Sequence, residues 1–385
     1  MSDWRWDSAK KRYYYIHPSS HQYIYDSGER IKFKALSAPA APNYLVINSR
    51  EAFTSSDEGQ QAHASPTILP ESLCPTDFSL VEGRYKIIKN LDRGGQTLEK
   101  GIREVHDVRN RNAIYALKTY VCKDLEQYRE RGFNFNHEVS IMARLHHSAH
   151  VVKLIRCHSN PQTLEFSFVM SPVANQGNLT NYMLRQFQLP NTLILTERFM
   201  QIALADLAKG LEDIHEHSVR HKDIKPGNIL VHNDRVLYTD FGLSLDYRAF
   251  PSDITNCTHP EHDCTPAYAA PETHAHTPRN RKSDVFCLGL VYLELLCTRA
   301  VVLTGNTDWG NDTIFGKYFQ RYSDMVASGR VGRTLDWIEH KEKVVSLRKY
   351  VPLVRSMLDL ERDHRPSAEK LVRELGISMA KKQID

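Results

Sequence analysis

The stretch HKDIKPGNIL, residues 221–230, is followed ten residues later by DFG, residues 240–242. Two short runs of β-prone residues with a polar turn between them separate the two motifs. A strand pair of this kind places the side chains of Asp223, Asn228 and Asp240 on one rim. The stretch therefore gathers two carboxylates and an amide at one site.

These side chains have the chemistry of phosphoryl transfer. Asp223 can accept a proton from an attacking hydroxyl, and Lys225 can neutralise a phosphoryl group in flight. Asn228 and Asp240 offer the oxygen ligands that Mg²⁺ prefers. The reaction needs little beyond a positioned metal, positioned charge and an oriented nucleophile. In these motifs the chain resembles the eukaryotic protein kinases of serine/threonine type.

Length and composition fit that resemblance and disfavour other classes. The 385 residues suffice for one large or two-lobed domain with tails. A formal net charge of +4 is too small to indicate nucleic acid or a membrane surface, and neither an apolar run of eighteen residues nor an apolar amino-terminal signal core is present. The seven cysteines are scattered and predict reduced thiols. We therefore expect a cytoplasmic protein, with the nucleus as an open alternative.

Residues 1–33 form an aromatic-rich amino-terminal segment, in which the runs 12–17 and 22–26 are predicted to pair as a hairpin. The segment loosely resembles a WW-type module, which grips proline-rich peptides, and would then have a peptide or protein partner. Packing on the main domain or partial disorder is the alternative. Residues 34–77 are predicted to be a flexible linker, and residues 377–385 a carboxy-terminal tail.

The resemblance implies an α+β, two-lobed kinase fold over residues 78–376. The amino lobe, residues 78–170, would hold a small antiparallel sheet and one helix, and the carboxy lobe, residues 174–376, would be larger and mostly helical. Lys118 lies in a strand-like run and is matched to the lysine that contacts the α- and β-phosphates of ATP. Glu138, on a run with helical periodicity, is matched to the carboxylate that pairs with this lysine.

The glycine-rich loop departs from the family pattern G-x-G-x-x-G-x-V. After Leu91, Asp92 stands where the first glycine is expected. Gly94 and Gly95 can serve the middle of the loop, and Gly101 is the candidate for the third glycine after a few extra residues. Glycines here let backbone N–H groups approach the phosphates. The departure therefore bears on ATP affinity more than on the fold.

The adenine site is expected where a strand-like run ends at residue 170. Met170 is matched to the gatekeeper, and Ser171, Pro172 and Val173 to the hinge, whose backbone groups would recognise adenine. Pro172 has no N–H to donate, but the family relies mainly on the backbone of the first and third hinge residues. Ala116, two residues before the strand lysine, completes the expected ATP-binding set.

The catalytic loop departs once from the family's H-R-D, because Lys222 replaces the arginine. That arginine pairs bidentately with an activation-loop phosphate, a geometry that lysine lacks. Ser252, Thr255 and Thr258 are the candidate sites of loop phosphorylation. His221 is expected to have a structural role, bonded to backbone near the DFG motif.

The activation segment ends in CTPAYAAPE, residues 264–272, which resembles the family's G-T-P-x-Y-x-A-P-E. Thr265 is expected to contact Asp223 and Lys225, a feature of serine/threonine kinases. The nearby pattern of Cys257, His259, His262 and Cys264 contains zinc-ligand types. Its spacing is unlike common structural zinc sites, so polar loop residues with two thiols is the favoured interpretation.

Three further residues are matched to structural positions of the carboxy lobe. Asp284 is expected to hold the backbone of the catalytic loop, with Phe286 in place of the family's tryptophan. Arg365 is matched to the arginine that forms a buried pair with Glu272, and such a pair is costly to break from one side. Residues 306–316 form a loop for which substrate or partner recognition is a hypothesis.

The resulting hypothesis is a kinase that transfers the γ-phosphoryl group of Mg-ATP to Ser or Thr hydroxyls of protein substrates. ATP and Mg²⁺ are the implied cofactors. Two alternatives stay open: a pseudokinase scaffold, favoured by the degenerate glycine-rich loop, and a kinase-fold enzyme that phosphorylates a small molecule. The peptide-docking segment at residues 265–272 argues against the second.

Overall fold

The structure is a computed structural model that describes the backbone of residues 5–7, 12–17, 22–25 and 30–32, and residues 84–91, 100–188, 195–248, 254–255, 264–305 and 322–376. Several predictions fall outside these ranges. They concern the linker and carboxy-terminal tail, Gly94 and Gly95, Ser252 and Thr258, the cysteine–histidine pattern except Cys264, and the loop at residues 306–316.

The amino-terminal segment contains a four-stranded antiparallel sheet in the order β1-β2-β3-β4. The strands are β1 (Arg5–Asp7), β2 (Arg12–His17), β3 (Gln22–Tyr25) and β4 (Arg30–Lys32). The two central strands are those of the predicted hairpin. The outer strands were not predicted, because a three-residue strand is too short to show an alternating pattern.

The amino lobe is a five-stranded antiparallel sheet in the order β5-β6-β7-β9-β8. Its strands are β5 (Tyr85–Asn90), β6 (Lys100–Asp107), β7 (Asn110–Val121), β8 (Lys153–Asn160) and β9 (Glu165–Ser171). One long helix, α1 (Leu125–Arg144), packs against it. The Asp124 side chain begins this helix by accepting a hydrogen bond from the Gln127 N–H at 2.8 Å.

Aromatic packing fixes the rotation of α1 on the sheet. The Phe135 ring lies 4.7 Å from the ring of Phe166 and 4.6 Å from that of Phe168, both on β9. Tyr128, two turns earlier on the helix, stacks on Phe166 at 4.4 Å. Because residues three apart share one face of a helix, this packing turns Glu138 towards the sheet as well.

The carboxy lobe is mostly helical. Its helices are α2 (Leu179–Gln188), α3 (Glu197–Glu216), α4 (Pro271–His274), α5 (Arg281–Thr304), α6 (Tyr322–Ala327), α7 (Arg330–His340), α8 (Val351–Met357) and α9 (Ala368–Glu374). Short 3₁₀ segments lie at Pro226–Asn228, Pro266–Tyr268, Glu342–Tyr350 and Arg362–His364. The flanking Thr196 caps α3 by accepting from the Phe199 N–H at 3.0 Å.

Helix α5 is the centre of the carboxy-lobe core. It is the one helix of the described chain that is long and apolar enough to cross a membrane, but 94% of its apolar window is buried inside the protein. This burial accounts for its apolar character.

Two short strand pairs frame the catalytic loop: β10 (Val219–Arg220) with β13 (Leu245–Asp246), and β11 (Ile229–His232) with β12 (Arg235–Tyr238). Helix α3 comes very close to β12 at Gly210, where a Cβ would lie 2.8 Å from both the His150 and the Tyr238 side chains. Only glycine permits this approach. The predicted two-lobed α+β fold is confirmed.

Candidate active site

Lys118 joins the two lobes at the cleft. Its Nζ, carried by β7, donates to Glu138 Oε1 of α1 at 3.1 Å and to Asp240 Oδ1 at 2.8 Å. The Lys118 and Glu138 side chains are almost fully buried, whereas the Asp240 side chain is 36% exposed. One ammonium thus connects the sheet, the helix and the DFG motif.

The charge of Lys118 survives its burial. Desolvation lowers the pKa of this lysine, but the opposite charges of Glu138 and Asp240 outweigh that effect and hold the pKa well above its usual value. Lys118 is therefore a permanent cation on the cleft wall, suited to neutralise phosphate oxygens.

Gly242 of the DFG motif lies against this pair. A Cβ at this position would lie 3.4 Å from Glu138 Oε2 and 3.8 Å from Asp240 Oδ1. These are ordinary van der Waals distances, so Gly242 lies in contact range of the carboxylates of both Glu138 and Asp240. The DFG motif and α1 are thereby fitted to each other.

Asp223 is surrounded by hydrogen-bond donors. Its Oδ2 accepts from Lys225 Nζ and from Asn228 Nδ2, both at 2.8 Å. Its Oδ1 accepts from the Thr265 hydroxyl at 2.6 Å and from the Thr265 N–H at 3.1 Å. Lys225 Nζ also donates to the Thr265 hydroxyl. The activation segment is in this way attached to the proposed catalytic carboxylate.

The donors keep Asp223 ionised. Burial raises the pKa of its carboxyl, but the hydrogen bonds from Lys225 and Thr265 outweigh it, so that the pKa lies below the usual value. At neutral pH the group is a carboxylate, as a residue that orients or deprotonates a hydroxyl must be.

Asn228 and Asp240 fit the requirements of a Mg²⁺ site. The Asn228 amide nitrogen is used in bonds to the Asp223 carbonyl at 2.9 Å and to its side chain, which fixes the amide so that its oxygen is its remaining acceptor. Asp240 adopts a positive φ of 66°. One carboxylate and one amide oxygen facing a polyphosphate suit Mg²⁺, which is commonly held by few protein oxygens together with phosphate. Among the described residues there is no group of three or more His, Cys, Asp or Glu side chains arranged for a metal.

The backbone of the catalytic loop is held from α5. Asp284 accepts from the N–H groups of His221 and Lys222, each at 2.9 Å, and lies 3.0 Å from His215 Nε2. Burial raises the pKa of Asp284, but the contacts with His215 outweigh it and the pKa is lowered. The His221 ring lies 3.2 Å from the Thr239 carbonyl oxygen, the position expected for a structural histidine.

Two further buried contacts support the site: the Phe241 ring and the ion pair between Arg365 and Glu272. Phe241 is fully buried, and its ring lies 4.9 Å from that of His221. In the carboxy lobe, Arg365 binds Glu272 through two parallel bonds of 2.8 and 2.9 Å. The guanidinium lies 4.8 Å from the Phe286 ring centroid, so this phenylalanine provides the aromatic face.

A cavity of about 240 Å³ opens between the lobes beside Lys118. Of the predicted ATP-binding residues, it is lined by Leu91, Ala116, Lys118 and Met170, and it also reaches Asn228 and Asp240. Ser171 and Val173 are not among its lining residues, and their predicted role lies in the backbone. Gly101 lies within β6 opposite Thr119, and it is the next residue, Ile102, that reaches the cavity.

Sequence reasoning missed much of the apolar lining. Besides Pro172 of the predicted hinge, the additional lining residues are the apolar Ile102, Val152, Ala174, Gly177, Gly227 and Leu230 and the polar Asn178, Asn181 and Thr239. Most carry no reactive group, and they come from strands, loops and helix α2, far apart in sequence. Only their position in the kinase pattern could have indicated them.

A larger cavity, of about 830 Å³, lies between α2, α3 and the β11–β12 turn. Its lining includes Arg185, Arg198 and Arg235 but none of the motif residues. Volume alone therefore does not locate the chemistry in this protein.

Fold and site together define a protein kinase domain. Residues 102–375 match the family described as "Protein kinase domain", so the chain belongs to that family. The family generally uses ATP and Mg²⁺.

The chain is similar to several protein kinases, some of which are named as serine/threonine kinases. The chain is 28% identical to a probable LRR receptor-like serine/threonine-protein kinase of Arabidopsis thaliana, over 75% of this chain and 32% of the relative. It is 34% identical to a LEAF RUST 10 disease-resistance locus receptor-like protein kinase of the same plant, over 45% of this chain and 25% of the relative. It is 25% identical to the serine/threonine-protein kinase mph1 of Schizosaccharomyces pombe, over 49% of this chain and 28% of the relative. The chain thus spans a quarter to a third of the length of these relatives.

Proposed function

We propose that this protein transfers the γ-phosphoryl group of Mg-ATP to serine or threonine hydroxyls of protein substrates. One observation carries the proposal. A single arrangement of the chain holds Lys118 on both Glu138 and Asp240, while Asp223 is bonded by Lys225, Asn228 and Thr265. The group proposed to bind phosphate, at Lys118, and the group proposed to activate the hydroxyl, at Asp223, are therefore both held in one conformation.

Each residue has a defined part in this reaction. Bound Mg-ATP would supply the phosphoryl group and the metal charge that offsets its oxygens. Lys118 neutralises phosphate charge on the amino-lobe side, and Asn228 and Asp240 hold the metal. Asp223 orients the substrate hydroxyl and takes its proton, while Lys225 stabilises negative charge beside it.

The preference for serine and threonine is supported by the contact between Lys225, Thr265 and Asp223. This contact joins the catalytic loop to the segment on which a peptide substrate would dock. The similarity to serine/threonine kinases supports the same preference. The peptide-docking segment also favours protein substrates over small molecules.

A pseudokinase scaffold is the second candidate. The replacement of the first loop glycine by Asp92 favours it, because a carboxylate near phosphates opposes nucleotide binding. Such a protein would bind partners through the same fold without transferring phosphate.

Transfer of labelled γ-phosphate from Mg-ATP to generic Ser/Thr peptides tests the proposal, with purified wild type beside Asp223→Asn. We expect incorporation by the wild type and a loss of about 100- to 10,000-fold in the variant, the range typical of general base catalysis. The matched control is Asp206→Asn, which alters a buried carboxylate bonded to Arg235 away from the cleft. Absence of transfer together with absence of a thermal shift on adding Mg-ATP would leave the scaffold function.

A further inference from the structure

The activation segment has an anchor in its middle, at Thr255. Its ends are held by contacts already described: Leu245 pairs with Arg220 in the β10–β13 ladder, and Thr265 is bonded to Asp223. Thr255 lies ten residues after Leu245 and ten before Thr265. Thr255 therefore supplies a contact midway between the two held ends.

The first component of the anchor is Arg220. This residue immediately precedes the HKD motif and is one of the largest fully buried side chains of the described chain, with 2% of its surface exposed. Its Nη2 donates to the Thr255 hydroxyl oxygen. A guanidinium that is removed from water has to be bonded within the protein, so this contact is costly to lose.

The second component is Arg279, just before helix α5. Its N–H donates to the Thr255 carbonyl, and its carbonyl accepts from the Thr255 N–H, both at 2.9 Å. This is a two-bond antiparallel bridge. Arg279 is itself only 5% exposed, so the bridge attaches the activation segment to a buried residue of the carboxy lobe.

These contacts close a ring around the catalytic loop. Thr255 is joined to Arg279, which lies five residues before Asp284. Asp284 holds the backbone of His221 and Lys222, and Arg220 precedes them and returns to Thr255. Lys222 contributes only its backbone N–H to this ring. The arginine side chain that contacts the activation segment is that of Arg220, two positions earlier.

We propose that the unmodified Thr255 hydroxyl, held by Arg220 and backed by the Arg279 bridge, anchors the activation segment in its working position, so that activity requires no phosphate on Thr255. Thr255 and Arg220 are positioning residues: they act on the reaction through Thr265 and its bonds to Asp223. The inference rests on the proposed function for its kinetic consequence, but the anchor itself is a structural property with its own measurement.

The first test uses full-length protein treated with phosphatase and checked by mass spectrometry for an unmodified Thr255. We expect treated and untreated wild type to have the same kcat/KM for a Ser/Thr peptide. Thr255→Val, which keeps the shape and removes the hydroxyl, is expected to lower kcat/KM for the peptide about tenfold with little change in the KM for ATP. Thr255→Ser restores the hydroxyl and is expected to stay within threefold of wild type.

The second test is hydrogen exchange of peptides covering residues 249–264, which needs no enzymatic activity. Faster exchange is expected in Thr255→Val and Arg220→Leu than in wild type and Thr255→Ser. Arg299→Leu is the matched control, because Arg299 is a buried arginine bonded to the Leu195 carbonyl elsewhere in the lobe.

The outcomes separate the anchor from the proposed function. Exchange that differs as expected, in a protein that transfers no phosphate and shows no thermal shift with Mg-ATP, would support the anchor and refute the kinase. Loss of activity after phosphatase treatment, restored by phosphorylation of Thr255, would overturn the inference. So would Thr255→Val exchange equal to that of wild type.

Discussion

Among the described residues, the ion pairs Arg365–Glu272 and Lys118–Glu138 are both buried but differ in their surroundings. Arg365 and Glu272 are joined by two parallel bonds, and the arginine also donates to the carbonyls of Asp359, Lys282 and Leu360. Lys118 and Glu138 share one bond, and the same ammonium also donates to Asp240, whose side chain is partly exposed.

The difference shows how a structural pair can be told from a functional one. In the carboxy lobe, all three nitrogens of the Arg365 guanidinium donate to protein oxygens, and the pair is buried away from solvent. In the cleft, one partner of the lysine faces a cavity, so that its charge remains available to a ligand. Burial and charge are common to both pairs; access to the cleft separates them.

Breaking the closed pair should have the largest effect, and on stability. Arg365→Met removes one partner and leaves Glu272 buried without its cation, which costs about 3–5 kcal/mol in the free energy of unfolding. Chemical denaturation measures the loss. Arg355→Met, at a more exposed ion pair with Asp336, is the matched control and should cost less than about 1 kcal/mol. Equal losses in the free energy of unfolding in the two variants would show that the Arg365–Glu272 pair is no more important for stability than an exposed pair.

Breaking the open pair should act mainly on catalysis. Lys118→Met is expected to lower kcat/KM by about 100- to 1,000-fold, because a preorganised charge at the reacting phosphates is lost. The stability cost should be smaller, about 1–3 kcal/mol, because the buried Glu138 loses one bond. Lys153→Met removes a lysine of β8 that donates to the His146 and Ser148 carbonyls, and it serves as control for lysine loss without a change in activity. Peptide kinetics and chemical denaturation on the same samples test whether the loss is mainly in kcat/KM or in the free energy of unfolding.

A third buried acid sharpens the comparison, because its described contacts are two hydroxyls and not a cation. Glu294 accepts from Tyr268 at 2.7 Å and from Tyr322 at 2.6 Å, and burial raises its pKa to about 8, with these hydrogen bonds opposing the shift. The folded state therefore holds a proton that the unfolded state releases near its ordinary pKa. The stability from this group is complete below that ordinary pKa and is lost as the pH rises through about 8.

Wild type should accordingly lose stability between about pH 5 and 8, by up to about 1.4 kcal/mol for each pH unit. Glu294→Gln removes the titrating group and should flatten that slope, while Glu339→Gln, on a half-exposed side chain, should leave it unchanged. Urea midpoints measured across this pH range test the sign. An unchanged slope in Glu294→Gln would show that another group is responsible.

The smallest effect concerns a side bond of the closed pair. Ser283 donates to Glu272 Oε1 at 2.6 Å, and Ser283→Ala should cost about 1 kcal/mol in the free energy of unfolding. Combined with Arg365→Met, the two losses should fail to add, since both act on one carboxylate. Additive losses would mean that the serine acts independently of the pair.

The sequence predicted the fold and most of the polar site because each motif residue has one demanding chemical role. Lys118, Glu138, Asp223 and Asp240 could be assigned in chain order before any distance was known. The strand β6 was missed because its residues, Lys100–Asp107, alternate weakly and include a glycine and five charged or histidine side chains.

Contacts that depend on three-dimensional approach could not be predicted. A lone arginine before the HKD motif gives no sign in sequence that it is buried or that it meets Thr255. The apolar residues lining the cleft also lack a local signal, because residues such as Val152 and Leu230 cannot be told from core residues by residue type. The glycine-rich loop and the domain boundaries at residues 33, 77 and 376 stay predictions.

The hold of Asp284 on the catalytic loop has a consequence for protein synthesis. The carboxylate lies 62 and 63 residues after the two N–H groups that it fixes. On a ribosome, Lys118, Asp223 and the DFG motif all emerge before Asp284 does, and Arg365 emerges later still. A nascent chain can therefore carry every reactive group and still lack a fixed catalytic loop. The catalytic-loop backbone can be fixed in this way only when the last third of the domain has been made.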